Sequence, residues 1–320
     1  MNITSDEWVE ILRREYLQGF IRQGGAAVKF CVHADGSHDE FAQSTLPTAA
    51  RDEGYVYAFV DAARTKMHQI DKVFFDIATQ IDWDSLAETY VRKYFIRHGY
   101  RIPETGGDYS IHNIALINNC EEMQFRNDTK SGIQRELFND YDMSQEFRFA
   151  MTRLCINQFD SDGPEDYLSN SVKEWLRGEL RLITSLKDAL IFQRITKYNA
   201  RHILYSLTHW IKVNDMNGLV LLLDITGCFA SKNDLAQPNT MSYTTSMVLD
   251  TYEVLRQFID GTSDMESLMM VVTAPPEFLT DERRGLNKYD ALKMRIWNEV
   301  RDRQRQNPLS SLIRLSTFKQ

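Results

Sequence analysis

A chain of 320 residues that is 43% hydrophobic and 26% charged, with 7 Pro and 15 Gly, can bury a large core and is neither a disordered nor a fibrous sequence. Its net charge of -8 argues against a chain-wide electrostatic grip on nucleic acid, which needs Lys and Arg against phosphate, and leaves only local basic patches for that purpose. The opening residues lack the apolar stretch of an export signal and no apolar run approaches the roughly 20 residues of a membrane span, so a cytoplasmic protein with no membrane contact is expected.

Residues 5 to 22 set Trp8, Ile11, Leu12, Tyr16, Leu17 and Phe20 on one side of a helix that Gly24 and Gly25 stop. A β-rich run from Ala26 to Val32 leads into the turn-forming His33, Ala34, Asp35, Gly36 and Ser37. After a helical interval, a second strand over 54–61 ends in Asp61, and strand, turn, helix, strand is the pattern of a parallel βαβ unit. Nearly everything from 68 to 214 reads as helix, with breaks at 99–108 and 160–164. The strand over 219–224 is an unbroken apolar run closed by Asp224, as in a central parallel strand covered on both faces. Further strands are expected over 268–273, ending in Thr273, and over 312–315. Cys31, Cys120, Cys155 and Cys228 form no CxxC pair and read as reduced, mostly buried thiols.

In an open parallel sheet, ligands sit outside the carboxyl ends of the strands. That directs attention to His33 through Glu40, Asp61, Asp224 through Gly227, and Thr273 through Pro276. Their spacing is that of a P-loop ATPase, in which the first strand feeds a phosphate loop and a later apolar strand ends in a metal-linked Asp. The fold expected is therefore α/β of the P-loop NTPase kind: a parallel five-stranded sheet flanked by helices, its halves at 1–67 and 215–320, with a large helical insertion at 68–214. Asp61, with Arg64 and Lys66, reads as a surface charge cluster.

Four stretches carry a more specific likeness: GAAVKF at 25–30, EWLRGE at 174–179, YNAR at 198–201 leading to GLVLLLD at 218–224, and RGLNKYDAL at 284–292. In their order and spacing they resemble the ATP-binding proteins of BREX-type bacteriophage-defence systems, a P-loop family related to the AAA+ ATPases. The resemblance implies a role in phage defence, and also a region past the fifth strand, which a chain ending at Gln320 either has lost or never had.

A working phosphate loop reads GxxxxGK[ST]: backbone N-H groups cradle the phosphates, Lys reaches the outer ones and the hydroxyl holds magnesium. On that pattern His33 replaces the first Gly, His38 the second, Asp39 the Lys and Glu40 the Ser or Thr, with Gly36 and Ser37 between them. Two carboxylates stand where a cation and a hydroxyl should meet polyphosphate, so the loop repels ATP by like charge. Asp224 fits the magnesium-linked acid of the second motif, while Ile225 replaces the catalytic Glu that would orient water. Thr273 sits where related ATPases keep a polar sensor. Arg283, Arg284 and Arg295 are placed to act on a neighbour's nucleotide or, with the phosphate site lost, as structural or interface residues.

His33 and His38 with Asp35, Asp39 and Glu40 are chemically suited to a divalent metal, but a solvated loop is the default for such a run and no metal is expected. Two basic stretches, Lys197, Arg201, His202, Trp210 and Lys212 on one helix and Lys293 to Arg305 near the end, suit DNA or an acidic protein face, the bland alternative being solvated helix flanks. Three readings stay open. The first is a non-catalytic ATPase-like subunit, without cofactor, that binds other proteins of a defence complex, a true ATPase included. The second is an active ATPase using ATP and magnesium to sense or remodel DNA. The third is a DNA-binding adaptor without nucleotide.

Overall fold

A computed structural model describes residues 3–33, 40–103, 109–159, 167–230, 241–297 and 307–316. The chain forms two compact units, Met1–Ile77 with Asp215–Gln320, and Ala78–Asn214. The first holds the sheet and the second is helical; residues 68–77, expected in the insertion, fall with the sheet. No described helix is long and apolar enough to cross a membrane.

The sheet unit begins with α1 (Ser5–Leu12), started by a capping box in which Thr4 accepts from the Glu7 amide and Glu7 from the Thr4 amide. It runs on as a π-helix, Arg13–Phe20. The buried residues Trp8, Leu12, Leu17 and Ile21 are spaced more widely than an α-helical turn, and the extra residue per π turn keeps them facing the core. That winding turns Phe20, expected on the buried face, outward to 52% exposure. The chain then forms β1 (Ala26–His33), a π-helical turn (Phe41–Thr45) leading into α2 (Leu46–Asp52), β2 (Val56–Asp61) and α3 (Ile70–Thr79).

The helical unit contributes α4 (Trp83–Arg97), α5 (Ile111–Ile117), α6 (Glu122–Phe138), α7 (Gln145–Asn157), α8 (Tyr167–Arg177), a 3-10 helix (Ile183–Ala189) and α9 (Ala200–Val213). The return to the sheet unit supplies β3 (Leu219–Asp224), a 3-10 turn (Thr226–Phe229), α10 (Thr245–Asp260), β4 (Leu268–Ala274), α11 (Glu277–Thr280), α12 (Asp290–Ile296) and β5 (Leu312–Leu315).

All described strand pairs are parallel, in the order β2-β3-β4-β1-β5. Every residue of β3 and β4 is buried, as their apolar runs require, whereas β2 and β5 at the edges alternate. One face of the sheet, with Val220, Leu222, Met269, Val271, Cys31 and Ile313, packs against α1, its π extension and α2 through Trp8, Leu12, Leu17, Phe41 and Leu46. On the other face Phe30 stacks on Phe278, which meets Tyr252 of α10 edge to face. Burying one such Leu or Phe contributes about 1.5–3 kcal/mol. Lys29, buried in β1, donates from Nζ to Leu309 O at 2.6 Å, and Trp8 Nε1 donates to Pro308 O at 3.1 Å, so two long side chains fasten the approach to β5.

Within the helical unit, Trp83 meets Phe147 edge to face and Tyr90 packs at 5.0 Å on Trp210. Asp82 caps α4 by accepting from the Ser85 amide. The continuous helix expected up to 214 is interrupted: Gly178 (φ 73) and Leu190 (φ 59) both take the left-handed conformation, which ends helices. Between them lies the 3-10 helix, and after Leu190 the chain crosses 191–196 without helical structure before α9.

Candidate functional site

Parallel pairing places one row of residues across the carboxyl ends of the strands: Asp61, Asp224, Thr273, Cys31 and Ile313, on β2, β3, β4, β1 and β5 in turn. Because residues in register point to the same face, two carboxylates, a hydroxyl and a thiol form a ledge above the apolar layer of α1 and α2. His33 follows two residues beyond Cys31 on the same face.

Asp224 is 6% exposed, and its Oδ1 accepts from the Thr226 amide at 2.8 Å. Asp61 makes the equivalent turn, its Oδ1 accepting from the Ala63 amide at 2.7 Å. Of the expected surface cluster, Arg64 and Lys66 are exposed, whereas Asp61 is half-buried and stands in register with Asp224. The loops after β2 and β3 touch backbone to backbone, since a Cβ on Gly227 would lie 2.5 Å from Ala63 N. Tyr243 closes the same corner by donating to Thr65 O at 2.6 Å and accepting from the Met67 amide at 3.1 Å.

Thr273 is fully buried. Burial pushes the Cys31 thiol far up, beyond what the Thr273 hydroxyl offsets, and the Asp224 charge pushes the same way, so Cys31 remains a neutral thiol and no nucleophile. Burial likewise drives Cys228 up against the pull of Thr251 and Arg284, with Asp224 and Asp61 adding to the rise. His33 is 4% exposed, its ring 5.1 Å from that of Phe41 and its Nε2 3.8 Å from Cys31 Sγ. It is a packed core residue, not part of a solvated loop. Glu40 is exposed at the head of the π turn. Gly36, Ser37, His38 and Asp39 lie outside the described residues, as do residues 298–305 of the basic stretch.

The three arginines separate. Arg284 Nη1 donates to Cys228 O at 3.3 Å, which brings its charge beside the loop after β3. Arg283 is exposed, with its amide bonded to Asp281 Oδ1 at 2.6 Å. Arg295 forks onto Asp260 of α10, which also pairs with Arg256, so this guanidinium fastens α12 to α10. Next to it, Arg256 holds Glu253 down to about 2, with help from Tyr289 and Gln257. In the helical unit Asp140, Asp142 and His209 converge. There burial raises Asp140, but the His209 bond at 3.1 Å, the His209 charge, the Asp142 amide and the Arg148 charge together outweigh it and hold the acid below its usual range.

Three features of the ledge escape sequence reasoning. The Asp61–Asp224 register needs two strands separated by more than a hundred and fifty residues to be paired. The Cys31–Thr273 juxtaposition has the same cause. The Tyr243 lock carries no local signal; Asp61 alone does, as an acid closing an apolar strand in the manner of Asp224.

The fold and this ledge define a mixed α/β protein with a parallel five-stranded sheet whose strand ends gather buried polar groups. The family model for the BREX system ATP-binding protein BrxC/D matches residues 10–320, and the chain belongs to that family. Membership is consistent with a role in bacteriophage defence. Neither a curated protein nor a solved structure is matched by the chain.

Proposed function

We propose that this chain has a P-loop NTPase-type, AAA+-related core whose phosphate loop no longer holds phosphate. It serves its BREX system as a non-catalytic platform for other proteins, a true ATPase among them. The strand order supports the core assignment: from the carboxyl ends of β1 and β4, neighbours in the sheet, the chain departs toward opposite edges, which makes their boundary the topological switch point where parallel sheets of this kind take ligands.

The observation that carries the non-catalytic reading is Ile225, fully buried directly after Asp224, where an ATPase needs a carboxylate to orient water. The phosphate loop agrees with it. The residues present do not fit the phosphates of ATP: Asp39 and Glu40 replace Lys and Ser/Thr, although Asp224 keeps the acid that would face magnesium. Like charges 4 Å apart cost about 4 kcal/mol at an effective dielectric of 20. Steady-state ATP turnover with magnesium tests the reading, with no phosphate release above blank expected. The family's ATP-binding description favours a second reading, an active ATPase that couples nucleotide to DNA sensing or remodelling, and measurable turnover abolished by Asp224→Asn would establish it instead.

A further inference from the structure

The interrupted stretch between α8 and α9 turns its chemistry outward. Ile191 and Ile195 are buried and anchor it, while Phe192 between them is 63% exposed, Leu182 69% and Tyr198 82%. Hydrogen bonds from side chains pin the backbone beneath these exposed groups. Trp175 Nε1 donates to Gln193 O at 2.9 Å, and the Arg194 guanidinium donates to Leu180 O at 2.9 Å and to Arg181 O, drawing the two limbs of the strap together. Asn199 Nδ2 donates to Arg194 O at 3.1 Å and Asn199 Oδ1 accepts from the Thr196 amide at 2.7 Å, which sets the turn that carries Lys197 and Tyr198.

Charge follows the same path. From 177 to 212 the sequence has seven Lys and Arg against the two acids Glu179 and Asp188, in a chain whose net charge is -8. Arg181, Lys187 and Lys197 are exposed, and Lys197 Nζ lies 5.1 Å from the centre of the Tyr198 ring. Exposed rings interleaved with cations on a pinned backbone match a polyanion that also offers flat faces. An acidic peptide supplies the charge but leaves Phe192, Leu182 and Tyr198 without partners. A duplex supplies charge but keeps its base faces stacked inside. A single strand supplies both.

We infer that the strap over 181–198 binds single-stranded nucleic acid, with bases stacking on Tyr198 and Phe192 and phosphates meeting Arg181, Lys187 and Lys197. This goes beyond the platform reading and depends on none of its phosphate-loop residues. The test is fluorescence anisotropy of the full chain with labelled oligo(dT) of about 16 nucleotides, against a duplex of equal length, across a salt series.

Single-strand binding should weaken with a log-log salt slope of roughly -2, about 0.7 for each of three phosphate contacts, and Lys187→Gln with Lys197→Gln should reduce that slope to roughly -0.7. Tyr198→Ala and Phe192→Ala should each weaken binding about tenfold, while Tyr198→Phe, which keeps the ring, should not. Melting temperature monitors folding, and the Tyr198→Phe comparison separates a lost stack from a lost fold. No binding at low salt, tighter binding to the duplex, or indifference to both ring deletions would overturn the inference. Competition by poly-glutamate at equal charge would overturn it in favour of an acidic protein partner.

Discussion

The strand ends of the sheet unit and the strap of the helical unit both concentrate polar and aromatic groups, yet they use them in opposite ways. At the strand ends Asp224, Thr273 and His33 are buried, and the two acids are committed to the amides of Thr226 and Ala63. On the strap, Phe192, Tyr198, Lys187 and Lys197 are exposed and only the backbone beneath them is fixed. Acids bonded to the backbone of the loops that follow them stiffen a scaffold, whereas exposed rings and cations above a fixed backbone make a surface ready for a ligand. The difference teaches that the ledge is a place of structural rigidity and the strap a place of recognition.

The comparison can be broken hardest in the sheet. Leu222→Ala, in the middle of β3, removes a side chain packed between strands and α1, and should cost about 2–5 kcal/mol in chemical denaturation. Gly227→Ala forces a Cβ against Ala63 N and should cost about 1–3 kcal/mol, because backbone on both sides leaves little room to give.

Glu253 sharpens the contrast between fixed and solvated charge. Its folded pKa of about 2 lies below the ordinary Glu value of about 4.3, so its contribution to stability is present above that ordinary value and fades as pH falls toward the folded one. The melting-temperature gap between wild type and Glu253→Gln should therefore close on acidification through that window, and modestly, because the side chain is 35% exposed. At the small end, Tyr198→Ala should change stability by no more than about 0.5 kcal/mol while removing the strap's outermost ring.

Much of this architecture is legible in the sequence. β3 and β5 are readable to the residue, because an apolar run closed by Asp224 and a short, mostly apolar run near the C-terminus leave few alternatives. The central placement of β3 is legible too, from the lack of alternation. What stays hidden depends on winding or on distance. Phe20 points outward because α1 relaxes into a π-helix, which a 3.6-residue period cannot express. The strap hides inside helix-forming sequence, since Leu190 takes a left-handed conformation that Leu does not advertise. In the ledge, Asp224 and Thr273 are visible as strand-ending polar residues, whereas the pairing of Asp224 with Asp61 and of Thr273 with Cys31 exists only once the strands are aligned.

The central claim is that the loop after β1 cannot hold polyphosphate. Calorimetric titration with ATP and ADP in the presence of magnesium tests it most directly, comparing wild type with the Asp39→Lys, Glu40→Thr double variant. The account predicts no heat and no thermal stabilisation for wild type, with binding emerging, if anywhere, in the variant. Micromolar binding by wild type would contradict it and place the active ATPase first.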